Sequence, residues 1–71
     1  MRDHQMNMDE IWEEVARGNV ERNVSYSEDA SEDEIYDEVF TLALDALIDR
    51  GVDEARAGRI ASTLAQKFAQ P

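Results

Sequence analysis

Between Ser27 and Glu38 the chain reads SEDASEDEIYDE, seven carboxylates in twelve residues with no basic residue among them. Carboxylates gathered so closely have three kinds of chemistry open to them. They can ligate a hard cation, exchange a proton as a coupled pair, or attract cationic groups on another molecule.

The first is calcium chemistry. An EF-hand loop needs oxygen ligands at positions 1, 3, 5 and 12, with glycine at 6. Counting from Asp29 places Ser31 and Asp33 at 3 and 5, but Glu34 falls at 6 and Phe40 at 12. Both the turn and the bidentate ligand fail, so no metal site is expected.

Acid–base work needs one carboxyl desolvated enough to raise its pKa. All seven acids fall in a helix cap or on faces expected to meet solvent. The only histidine, His4, lies in the N-terminal tail, and the chain has no Ser-His-Asp arrangement and no glycine-rich phosphate loop. No catalytic residue, no cofactor and no enzyme activity are expected. Ser31-Glu32-Asp33-Glu34 resembles an acidic-directed kinase site, yet a helix N-cap accounts for the same residues. That leaves the third chemistry, with Glu28, Asp29, Glu32, Asp33, Asp37 and Glu38 facing the Lys and Arg groups of a basic partner.

The composition agrees. Against 17 Asp and Glu stand 7 Lys and Arg, a net charge of −10 and a pI near 4.2. Such a chain is repelled by nucleic acid and anionic membranes and drawn to basic protein surfaces. The charge is uneven: −5 over residues 1–31, −6 over 32–50 and +1 over 51–71. With 42% hydrophobic residues the chain is not of the composition that stays disordered. No apolar run approaches the about 18 residues of a spanning helix, and the N-terminus lacks a signal peptide's apolar core. A cytoplasmic protein with no membrane partner is expected.

A chain of 71 residues makes one domain, and it buries only roughly 60% of the surface its unfolded form exposes. There is no cysteine to staple it. Stability must come from packed helices or from a second copy of the chain.

The hydrophobic spacing supplies those helices. Met8, Ile11, Trp12, Val15 and Ala16 recur at helical intervals, Asn7 stands as an N-cap, and Gly18 is placed to end the helix in a left-handed conformation. Helix 1 is therefore expected at about 8–17, after a flexible tail over 1–7. An irregular 18–31 loop follows, pinned to the core by Val20, Val24 and Tyr26. Ser31 and Glu34 form a capping-box pattern that opens helix 2, about 32–50. Its apolar residues, from Ile35 to Ile48, cover roughly 240° of the helix circumference at 100° per residue. Cover is needed on two sides, so helix 2 should be central. Gly51 ends it, Val52 folds back toward Leu47, and Asp53 caps helix 3, about 54–69. There the small residues Ala57, Gly58, Ala61 and Ala65 allow close approach to helix 2.

The junction LIDRGVDEARAGRIAS, residues 47–62, resembles a DNA-binding helix-turn-helix, with Gly51 at the turn and Arg56 and Arg59 on the second helix. The resemblance covers this short segment alone. It departs from the motif at Leu47, Ala57 and Gly58, and the overall charge opposes phosphate binding.

The sequence thus predicts an all-α, three-helix bundle spanning 8–71, with Trp12, Tyr36, Phe40, Leu44 and Ile48 as apolar contacts for a homodimer or partner. The leading functional expectation is a non-enzymatic interaction module for a basic protein surface, with inhibition by nucleic-acid mimicry as its specific form. A small helix-turn-helix regulator using residues 47–62 is the alternative.

Overall fold

The computed structural model describes residues 8–70. The expected tail over 1–7, with His4 and the Asn7 cap, lies outside the described residues. Three helices follow in order, α1 (Met8–Asn23), α2 (Glu32–Asp49) and α3 (Glu54–Ala69), and they form a small all-α bundle.

The first helix is longer than its spacing implies. Gly18 does not stop α1, which runs on to Asn23, so the helix expected at 8–17 and the irregular loop expected at 18–31 are both corrected. A glycine inside a helix costs about 1 kcal/mol relative to alanine. Four groups beyond it offset that cost. Val20 is fully buried, one turn past the equally buried Ala16. The Asn19 side-chain amide donates to the Leu42 carbonyl on α2 at 3.0 Å, and the Asn23 amide donates back to the Asn19 carbonyl at 2.9 Å. Val24 N–H continues the ladder to the Val20 carbonyl at 2.9 Å. Val20 thus serves the core from within the helix, whereas Val24 and Tyr26 pack against it from the connection that follows.

The second helix starts as its capping residues dictate. Ser31 Oγ accepts from the Glu34 N–H at 3.2 Å, and the Glu34 carboxylate accepts from the Ser31 N–H at 2.9 Å. Two donors that a helix start leaves orphaned are satisfied reciprocally. At the other end the Val52 N–H reaches the Leu47 carbonyl and the Gly51 N–H reaches the Ile48 carbonyl, each at 3.0 Å. This is a Schellman motif, with Gly51 at φ 88° and Val52 buried beneath the turn. Asp53 then caps α3, accepting from the Arg56 N–H at 3.1 Å.

Helix α2 is central: it packs most extensively on α3, next on α1, while α1 and α3 touch least. The core is built from Ala16 and Val20 of α1, Val39, Ala43 and Leu47 of α2, and Ala57, Ile60, Ala61, Leu64 and Ala65 of α3. The alanines of α3 supply the close approach expected of them. Gly58 does not, for a Cβ built there meets nothing within 4 Å.

Candidate functional site

The acidic segment occupies the connection from α1 to α2 and the N-terminal half of α2. From Ser27 to Ala30 the chain makes a tight turn, closed by the Ala30 N–H on the Ser27 carbonyl at 3.1 Å. Glu28 and Asp29 sit at its tip and are exposed. Glu32 and Asp33 lie in the first turn of α2, beside the positive end of the helix dipole. Asp37 follows one turn later, also exposed.

Glu38 has a different place. Its carboxylate accepts from the Ser25 N–H at 2.6 Å and from the Ser25 hydroxyl at 3.1 Å. Of the six acids expected to meet a partner, this one ties the connection down onto α2. Its donors are neutral, so the bonds fix the carboxylate without cancelling its charge.

Five ion pairs join described residues, and all involve acids of α1. Arg56 and Arg59 reach the two oxygens of Asp9 at 2.8 and 3.6 Å. Glu13 takes Lys67 at 2.7 Å and Arg17 at 3.0 Å, and Glu14 takes Arg17 at 3.4 Å. The Asp9 carboxyl is held below its ordinary value of 3.8, chiefly by the hydrogen bond from Arg56, with both guanidinium charges adding and partial desolvation opposing. The cations of α3 are therefore spent on α1. Glu28, Asp29, Glu32, Asp33 and Asp37 make no ion pair among the described residues.

Between the connection and α2 runs a groove of about 490 Å³, lined by Tyr26, Ser27 and Ala30 on one side and by Glu34, Asp37, Glu38, Thr41 and Leu42 on the other. The helix residues recur every three or four positions and so form one stripe of α2. Among the described residues no three acids converge as the ligands of a metal ion would.

The apolar contacts expected for a dimer or partner are placed mostly inside the chain. Trp12, Tyr36, Phe40 and Leu44 are partly buried against the core. Tyr36 stacks on Phe40, with ring centroids 6.1 Å apart and planes within 7°, and its hydroxyl shares a 2.7 Å hydrogen bond with Ser62 on α3. Only Ile48 stays largely open, at 44% exposure, as Met8 and Ile11 do on α1. Apart from Ile48, the wide apolar arc of α2 packs against α1, the connection and α3.

Sequence reasoning did not find the Glu38–Ser25 clamp or the Asp9 bridge to α3. Helical spacing places Asp9 and Glu13 on one face of α1, a signal that an acid pair awaits partners there, but not which helix supplies them. Among the described residues no helix is long and apolar enough to cross a membrane. Comparison with protein-family models, with curated proteins and with solved structures finds no match.

Proposed function

We propose that this chain is a non-enzymatic interaction module that presents the exposed carboxylates before and at the start of α2 to a basic protein surface. One observation carries this reading. The cations Arg17, Arg56, Arg59 and Lys67 are drawn to acids of α1, while Glu28, Asp29, Glu32, Asp33 and Asp37 are exposed and make no ion pair among the described residues. A single-sign field of this kind steers a basic partner and sets its register. Inhibition by imitation of nucleic-acid charge is the specific form, in which the acids occupy a surface that otherwise takes phosphates.

The regulator reading draws less support. It needs Arg56 and Arg59 free to meet DNA, and both guanidinium groups are engaged by Asp9. In a gel shift with genomic fragments, specific retention lost on Arg56→Ala and Arg59→Ala would restore it. A second copy of the chain is a further partner, favoured by the exposure of Ile48. Its test is whether the measured mass rises above 8.1 kDa with concentration and falls back on Ile48→Asp.

The main test is affinity capture from the native host, repeated at low and high salt. Binding to a basic protein should weaken by at least about tenfold between 0.05 and 0.5 M NaCl, as the Debye length shortens. It should also be lost when Glu28, Asp29, Glu32 and Asp33 are replaced together by their amides. Affinity indifferent to salt would sink the proposal.

A further inference from the structure

Building on the basic-partner reading, we propose that the groove between residues 26–30 and α2 is the seat for one arginine side chain of that partner, with Asp37 as its counter-ion.

Three carboxylates line this groove, and they differ in what holds them. Glu34 is fixed by the Ser31 N–H and Glu38 by the Ser25 N–H and hydroxyl. These donors are neutral backbone and hydroxyl groups. The two side chains are thus positioned in advance and still negative, so little ordering is left for a cation to impose. Asp37 lies between them on the same stripe of α2, exposed and without an ion pair among the described residues, and it lines the groove itself.

The rest of the lining decides what kind of cation fits. A metal ion wants several oxygens converging on one point, and no such group of acids exists among the described residues. The groove instead carries Tyr26, Ala30 and Leu42 beside its acids, and its α2 wall from Glu34 to Leu42 is about 12 Å long at 1.5 Å per residue. Apolar groups beside three carboxylates in one lining match a cation borne on a hydrocarbon stem. Arginine is favoured over lysine because its planar guanidinium can both fork across carboxylate oxygens and stack on an aromatic ring, and Tyr26 lines the groove. The volume, about 490 Å³, falls within the range of side-chain and ligand pockets.

The experiment is an amide-shift titration of the full chain with hexa-arginine amide at low salt, run on the native sequence, Asp37→Asn and Asp33→Asn. Both variants remove one negative charge from an exposed position of α2, so long-range attraction changes equally. The expected result is that shifts concentrate at Ser27, Ala30, Asp37, Thr41 and Leu42. Asp37→Asn should weaken binding about fivefold or more and Asp33→Asn about twofold or less. Hexa-lysine amide should bind more weakly than hexa-arginine amide. If the peptide binds but both variants weaken it equally and the shifts spread over the whole acidic face, the groove proposal is overturned while the basic-partner reading stands. If no cationic peptide binds even at low salt, both fall together.

Discussion

Arg56 Nε donates to Asp9 Oδ1 across 2.8 Å, joining residues 47 positions apart in the sequence. One carboxylate thereby bridges the first turn of α1 to the first turn of α3, the two helices that otherwise touch least. Because Arg56 holds the Asp9 carboxyl below its ordinary value, the native state binds fewer protons there than the unfolded chain. The stabilisation is therefore present above the unfolded value, near 3.8, and is lost as pH falls through the folded one. Asp9→Asn should lower the melting temperature slightly and by a constant amount from about pH 5 to 7, with the gap closing as pH falls below 3.8. Thermal melts across that range check it, and a gap that ignores pH would assign Asp9 a role other than its charge.

The three glycines separate by conformation. Gly18 and Gly58 lie inside helices, and a Cβ would meet only the far end of the Arg22 side chain, at 3.4 Å, in the first case and nothing within 4 Å in the second. Gly18→Ala and Gly58→Ala should each stabilise the fold by about 0.5–1 kcal/mol, since alanine loses less backbone entropy. For a chain of this size that is a rise of a few degrees in melting temperature, on the order of 2–8 °C. Gly51 holds φ 88°, a left-handed geometry costing other residues about 1–2 kcal/mol, so Gly51→Ala should destabilise by that amount. Urea unfolding of the three variants measures all of this. Destabilisation by Gly18→Ala would mean that α1 breaks at Gly18 after all.

Local rules hold at both ends of α2 and at the start of α3. The Ser31–Glu34 box, the Gly51–Val52 turn and the Asp53 cap each depend on residues within six positions of one another, and each stands where the spacing put it. At Gly18 the glycine stop rule fails because tertiary packing decides there. Burial of Val20 and the bond from Asn19 to Leu42 act across helices, and no local signal announces them. The acidic site was legible as a segment but not as an arrangement. Glu38 and Asp37 are neighbours of like charge that both line the groove, and only the fold ties one of them to Ser25.

Glu38 should behave as a clamp on the connection as well as a wall of the groove. Glu38→Gln keeps the length and removes the charge that strengthens the bonds to Ser25, a loss of about 0.5–1.5 kcal/mol felt locally. Amide exchange at Ser25 should quicken several-fold while α2 and α3 keep their protection. A uniform loss of protection would instead make the clamp part of the global fold. Unchanged exchange at Ser25 would mean the bond contributes nothing.

Salt should act on stability and on binding with opposite signs. Among the described residues, five surface ion pairs are worth about 0–1 kcal/mol each and share three acids, so screening them costs little. Against this stand a net charge of −10 and the unpaired carboxylates of residues 28–37, which repel one another over distances that a Debye length of about 10 Å at 0.1 M salt still spans. At 1 M that length falls to about 3 Å and the repulsion is largely removed. The melting temperature should therefore rise with NaCl, while affinity for a basic partner falls because the same field is screened. Melts and binding isotherms over one salt series read both slopes on one sample. A melting temperature that falls with salt would mean the ion pairs of α1 outweigh the acidic face, and the unpaired carboxylates would then be too weakly coupled to steer a partner.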